Sequence, residues 1–325
     1  MQRPSSRHLV PAELDPVLEH FPKVDFEQGL EAYRGNFLKD EMPPLPPEAV
    51  TVACEERTIL GPEGAPDLRI LIYTPPASAE GILPCLFNIH GGGYVIGIPE
   101  QNDLANRLKA LELGAVVVAT SYRLAPETPF PGALEDCYAA LSWVAENAKE
   151  IGIDVARIAV SGESAGGGHA AALAIHARNR RRETGKGPEI CLLLLDAPML
   201  DDRTGTSHDP HPYTGEFLWK PELNRFGWQA LLGREPGGDD VPEEAVPARV
   251  RDLSDLPQTF IVIGSLDLFL EESLEYARRL TRAGVPLELH VIPGGFHGFT
   301  LAKDSPQAKL AWELEIKALD RAFDG

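Results

Sequence analysis

The sequence predicts an α/β fold built on a mostly parallel central sheet, and three observations predict it. Six short strand-like runs recur along the chain, at residues 85–89, 115–119, 157–160, 190–195, 260–263 and 287–291, and most of them are continuously apolar. Runs without polar alternation belong to strands covered on both faces. Helical patterns separate them, for example at 133–149, 271–283 and 307–323, and that alternation winds helices on both sides of a parallel sheet. The third observation is Gly162-Glu163-Ser164-Ala165-Gly166, set between the apolar run 157–161 and an Ala/Gly-rich helical run at 167–174. Strand, sharp turn and helix meet there, with a serine at the tip of the turn.

In chain order, residues 1 to about 48 are polar and helix-like in patches, with aromatics Phe21, Phe26, Tyr33 and Phe37. The segment closes on a proline-rich stretch at 42–47, which reads as a stiff linker. Two β-rich stretches follow at 50–54 and 68–73, and the turn signals Gly61-Pro62 and Gly64 between them predict an antiparallel pair. The α/β alternation begins after that pair. Residues from about 201 to 250 break the rhythm, being rich in Pro, Gly, acidic and aromatic residues including Trp219 and Trp228, and read as an insertion. The expected organisation is one α/β domain over 49–325, preceded by an N-terminal segment 1–48 and interrupted at about 201–250.

Composition narrows the function classes. A chain of 325 residues with 43% hydrophobic and 24% charged residues is an ordinary globular protein able to bury a large core. Its net charge of −19 argues against nucleic acid and against anionic membranes as partners. The one basic run, 178–182, falls where the helix after Ser164 should end, and there it complements the helix dipole. No apolar stretch reaches 18 residues and the N-terminus has no signal-like apolar region, so a cytoplasmic protein without a membrane span is expected. Cys54, Cys85, Cys137 and Cys191 are widely spaced in apolar runs, and read as buried free thiols, with a disulfide left open as the alternative. His208-Asp209-Pro210-His211 lies in the Pro-rich insertion and not on a helix, so no metal is expected. No phosphate-binding or dinucleotide pattern is present, so no cofactor is expected.

A serine hydroxyl is a weak nucleophile at neutral pH. It needs a base, a carboxylate to orient that base, and donors for the oxyanion that forms. The base candidate is His297, on the Gly-rich loop Gly294-Gly295-Phe296-His297-Gly298 after the run at 287–291. The carboxylate candidate is Asp267, in Gly264-Ser265-Leu266-Asp267 after the run at 260–263. Its rivals are Asp196, at the end of another strand and better suited to local turn hydrogen bonds, and Glu271, better suited to capping the next helix. The order Ser164, Asp267, His297 is that of the α/β-hydrolase fold. Oxyanion donors are expected from the amides of Gly91 and Gly92, in His90-Gly91-Gly92-Gly93 after the run at 85–89, and from Ala165 after the nucleophile. The His90 side chain is read as a brace for that loop.

Three motifs in order, His90-Gly91-Gly92-Gly93-Tyr94, Tyr122-Arg123-Leu124-Ala125-Pro126-Glu127 and Gly162-Glu163-Ser164-Ala165-Gly166-Gly167, followed by Asp267 and His297, resemble the bacterial hormone-sensitive-lipase family of carboxylesterases. The resemblance spans roughly residues 50 to 323. It departs from the family pattern at Glu163, where Asp is common, and at Leu268, where Pro is common. It implies a serine esterase acting on small-molecule esters of short to medium acyl chain, with no cofactor, and often a homodimer. It also implies a small helical cap made from the N-terminal segment and the insertion, whose aromatics Phe37, Phe217 and Trp219, together with Tyr94, could wall a substrate pocket. Tyr122, Arg123 and Glu127 read as a structural network below the site. Other readings left open are a non-catalytic ligand-binding relative, and an amidase, arylformamidase or lipase.

Overall fold

A run such as Val116-Val117-Val118-Ala119 has no polar face, so it can be satisfied only in the middle of a sheet with apolar layers on both sides. The protein does this. The structure, a computed structural model, describes residues 4–20, 29–31, 34, 44–76, 81–207 and 209–324. Among them eight strands form one sheet: β1 Ala53–Ile59, β2 Leu68–Thr74, β3 Leu83–Ile89, β4 Val116–Thr120, β5 Ile153–Glu163, β6 Leu192–Asp196, β7 Gln258–Gly264 and β8 Leu287–Ile292. Their spatial order is β1-β2-β4-β3-β5-β6-β7-β8. β1 pairs with β2, and β2 with β4, antiparallel; every other pairing is parallel.

The helices that position the site are α1 Asp103–Leu113, α2 Gly132–Glu146, α3 Ala165–Thr184, α4 Pro221–Leu232, α5 Leu270–Arg282 and α6 Pro306–Asp324. Strand residues alternate between two apolar layers. Val116, Val118, Val160 and Leu193 pack with α2, α3 and α5, while Val117, Ala119, Ala159 and Leu192 pack with α1 and α6. Each fully buried aliphatic side chain of this kind contributes roughly 1.5–3 kcal/mol. A third apolar cluster, with Trp219, Trp228, Val246 and Phe269, joins the segment between β6 and β7 to the body. Among the described residues no helix is long and apolar enough to cross a membrane.

Several expectations are adjusted. All four cysteines are free, but Cys54, on the edge strand β1, is exposed and Cys191 is only partly buried. The proline-rich linker gives way to a short helix, Pro47–Val50, with Pro46 extended before it. Arg181 and Arg182 do occupy the last turn of α3. Arg178 instead turns inward and donates to the carbonyls of Asp252 and Ser254. Two helices lie outside the helical patterns named above: α1, which buries Asn106 and Ala110, and α4, inside the insertion, which buries Leu223, Trp228, Leu231 and Leu232. Phe21, Phe26, Tyr33 and Phe37 lie outside the described residues.

Candidate active site

The turn after β5 is tight because strand and helix cross in contact. A Cβ on Gly162 would stand 2.2 Å from the Gly166 carbonyl oxygen, and one on Gly166 would stand 2.2 Å from that of Ile89. Ser164 between them takes φ 53 and ψ −120, outside the regions that L-residues favour. Hydrogen bonds hold this conformation. The Ser164 amide donates to the Asp196 carbonyl at 2.9 Å, and the Ser164 carbonyl accepts from the Met199 and Gly168 amides at 2.9 and 3.1 Å.

His297 reaches that serine. Its Nε2 lies 2.9 Å from Ser164 Oγ, and its Nδ1 lies 2.8 Å from Asp267 Oδ2. Asp267 is fully buried, and its second oxygen accepts from the Phe269 amide at 2.9 Å. A buried carboxylate can only accept, so Nδ1 carries the hydrogen, and Nε2 is left to accept from the serine hydroxyl. The rings of Phe269 and Trp219 flank the imidazole at centroid distances of 5.1 and 6.2 Å. The arrangement can take a proton from Ser164 and hold the imidazolium that results.

The loop after β3 passes close by. Gly92 has φ 124, and a Cβ there would strike the Ile96 carbonyl oxygen at 2.1 Å. Among the described residues the amides of Gly91, Gly92 and Ala165 donate to no protein acceptor. His90 braces the loop as expected. Its Nδ1 lies 2.8 Å from the Gly91 carbonyl oxygen, its ring stacks on Tyr122 at 4.2 Å, and its own carbonyl accepts from the Tyr122 hydroxyl at 2.9 Å. Burial pushes the His90 imidazole down to about 4 and that of the neighbouring His169 down to about 3, so both rings are neutral at physiological pH.

The remaining sequence candidates separate. Trp219 stands beside His297 and so close to Gly93 that a Cβ there would overlap its ring at 2.3 Å. Phe217 packs on Phe296 at 5.6 Å. Tyr94 is buried, its ring against His169 and Trp228 and its hydroxyl donated to the Met199 carbonyl at 3.0 Å. Phe37 lies outside the described residues. Arg123 grips the buried Asp136, and Glu127 pairs with Arg34 at 2.8 Å, which also donates to the carbonyls of Val95 and Ala125.

Of the rival carboxylates, Asp196 faces an internal cavity and not His297. Glu271 is exposed, and α5 has no side-chain cap, contrary to the expectation; Asp267 takes the Phe269 amide instead. Sequence reasoning missed Glu272. This buried carboxylate accepts the Leu200 amide at 2.6 Å, and burial raises its pKa well above the carboxylate range. Its spacing from Tyr276 and Leu280, on the buried stripe of α5, was the signal that could have found it. No group of three or more His, Cys, Asp or Glu that could hold a metal occurs among the described residues, from which His208 is missing.

The chain is similar to known proteins in sequence and in fold. A family model described as the alpha/beta hydrolase fold matches residues 86–301. The carboxylesterase NlhH of Mycobacterium tuberculosis is 36% identical over 325 residues, covering 96% of this chain and 97% of that protein. Esterase LipI of the same organism is 34% identical over 288 residues, covering 87% and 85%. Among solved structures, a bacterial heroin esterase superposes with a TM-score of 0.85 at 36% identity, covering 97% of this chain and 98% of that one.

Proposed function

The chain belongs to the α/β-hydrolase fold family, among its hormone-sensitive-lipase-like carboxylesterases, and is a carboxylic ester hydrolase; from that premise we propose that it cleaves short- to medium-chain acyl esters through an acyl-enzyme on Ser164. Ser164 Oγ attacks the ester carbonyl as His297 Nε2 takes its proton. The amides of Gly91, Gly92 and Ala165 hold the oxyanion. His297 returns the proton to the leaving alcohol, and water then clears the acyl group by the same steps in reverse. Asp267 keeps the imidazole in the tautomer that can accept and offsets its charge once protonated.

The observation that carries this reading is the unbroken relay Ser164–His297–Asp267, with contacts of 2.9 and 2.8 Å. It also weighs against a non-catalytic ligand-binding relative, which has no need of an aligned base. The acyl-length reading rests on Trp219, whose bulk beside His297 narrows the space near the nucleophile. The N-terminal segment and the insertion are proposed to form a cap together. Ser5 Oγ donates to Glu216 Oε1 of the insertion at 2.8 Å, and Ser6 Oγ to Glu216 Oε2 at 2.6 Å, which supports that pairing. A reducing, cytoplasmic location is proposed from the four free thiols.

The test is turnover of p-nitrophenyl esters of graded acyl length. The expected result is a kcat/KM maximum at short to medium chains, falling at least tenfold for long ones by loss of fit. A maximum at long chains, strengthened at a lipid interface, would replace this reading with a lipase.

A further inference from the structure

Behind the nucleophile strand, on the side of the sheet covered by α1 and α6, lies a polar cavity of about 50 Å³. Ser161, Glu163 and Asp196 reach it from the strand ends, Asn106 and Lys109 from α1, and Glu315 from α6. Lys109 and Glu315 neutralise each other at 2.8 Å, both almost wholly buried. Among the described residues Glu163 and Asp196 have no such partner cation. They are register neighbours at the ends of β5 and β6, so their side chains leave the same face of the sheet. Burial raises both carboxyl pKa values, and for Asp196 the nearby Glu315 and Glu163 raise it further. Two carboxyl groups so placed oppose each other's ionisation. Gln101 Nε2 donates to Glu163 Oε1 at 3.3 Å, which favours the charged form of Glu163, so the proton belongs on Asp196.

A second observation points to an occupant. Ser161 Oγ donates to Asn88 Oδ1 at 2.9 Å, and Asn88 Nδ2 donates to Asn106 Oδ1 at 3.1 Å. The chain of donors ends at Asn106 Nδ2, in a side chain only 1% exposed, beside the buried Tyr73 hydroxyl, and neither atom has a hydrogen bond of normal length among the described residues. A buried amide left without an acceptor costs roughly 1–3 kcal/mol. Asn106 lines the cavity, and one water needs roughly 10–15 Å³ of such space, so there is room for water to serve as that acceptor.

Glu163 also borders the proposed reaction centre. It directly precedes Ser164, and a Cβ on Gly91 would lie 3.2 Å from its Cγ and 3.5 Å from its Oε1, so its side chain forms the floor under the oxyanion loop. The charged groups whose fields reach the pair are Lys109 from α1 and Glu315 from α6 for both carboxyls, His297 from the loop after β8 for Glu163 and Asp267 from the loop after β7 for Asp196. We propose that this chamber holds ordered water, and that Glu163, bearing the charge of a one-proton pair with Asp196, is a positioning residue that seats Gly91 and places a negative charge behind His297.

The inference rests on the Ser164–His297 reading, and the experiment separates the two. It measures kcat and kcat/KM against pH for the parent enzyme and for Glu163→Gln, Glu163→Asp and Asp196→Asn. A negative charge behind His297 favours the imidazolium, so its removal shifts the acid limb of kcat/KM to lower pH. For Glu163→Gln that shift is expected to be about half a pH unit at an effective dielectric well above that of dry protein. kcat is expected to fall roughly tenfold with little change in KM, the mark of a misplaced oxyanion donor. Glu163→Asp keeps the charge and should restore the limb. Asp196→Asn, which mimics the protonated acid, should move it less than Glu163→Gln does.

An unmoved limb in Glu163→Gln, or an equal shift in Asp196→Asn, overturns the inference. If Glu163→Gln does not fold, infrared difference spectra of the parent against Asp196→Asn at neutral pH decide instead: a protonated-carboxyl stretch lost in the variant is expected, and its absence in the parent overturns the shared proton. A crystal structure of the parent with a dry chamber overturns the water. A parent enzyme with no acid limb at all would count against the His297 base and not against the chamber.

Discussion

The strand ends and the insertion between β6 and β7 are held together by different means. At the strand ends, backbone geometry does the positioning: Ser164 in an unfavourable conformation, Gly162 and Gly166 where no side chain fits, and Asp267 fixed by the Phe269 amide. In the insertion, an apolar cluster around Trp228 is pinned by polar anchors between distant residues. Asp202, wholly buried, is gripped by Arg249 at 2.6 and 2.9 Å and by the Gly237 amide at 2.6 Å, and Asn224 ties the Trp219 indole to the Thr204 carbonyl. The contrast teaches that chemistry and shape are set in separate places, so each should fail separately.

The sharpest way to break the contrast is at the nucleophile. Ser164→Ala should lower kcat by roughly 10⁶-fold, and Asp267→Asn by roughly 10⁴-fold through the wrong tautomer. Both should leave the unfolding midpoint nearly unchanged, which steady-state kinetics paired with thermal melts will check. A large loss of stability in Ser164→Ala would mean that the strand end and the fold are not separable.

The converse test lies in the insertion. Arg249→Ala strands the buried Asp202 carboxylate and should cost about 3–5 kcal/mol of stability. Measured below its melting temperature, with the variant fully folded, kcat should stay within about tenfold of the parent. Chemical denaturation gives the first number and ester turnover the second.

A smaller, graded effect concerns pH. His90 and His169 are neutral in the folded protein, their pKa values pushed down to about 4 and about 3, whereas unfolded imidazoles titrate near 6.5. The unfolded chain therefore binds more protons below about pH 6.5. Stability is complete above that value and falls as pH drops toward 4, by up to about 1.4 kcal/mol per pH unit for each ring. The raised carboxyls of Asp196 and Glu272 oppose this slope, so urea unfolding between pH 7 and 4 is compared for the parent and His169→Asn, and the difference, up to about 1.4 kcal/mol per pH unit, is the share of that ring.

The same contrast explains what could be read from sequence. Each group of the proposed reaction centre sits where the backbone demands a particular residue, so the signal is local: a serine between glycines, a Gly triplet after β3, an Asp and a His just beyond β7 and β8. The central strands β3, β4, β6 and β7 were equally plain, because burial on both faces leaves no room for polar residues, whereas the exposed, polar edge strand β1 runs from Ala53 to Ile59 and not over the expected 50–54. Residues set by long-range packing left little trace. Helix α1 turns Asn106 and Lys109 toward a polar chamber, so the spacing of Leu104, Leu108 and Leu111 does not mark its buried face. Glu272 looks like Glu271 until the phase of α5 is known. Arg178 reads as one of several surface cations, yet it bonds carbonyls 74 and 76 residues away.

The central claim is that one hydroxyl is activated by one imidazole. Incubation with a fluorophosphonate, followed by digestion and mass spectrometry, addresses it directly. The expected adduct lies on Ser164 in the parent protein and forms at least a hundredfold more slowly in His297→Ala, since a lost general base typically costs 10²–10⁴. An adduct on another residue, or labelling of Ser164 at the same rate in both proteins, would contradict it.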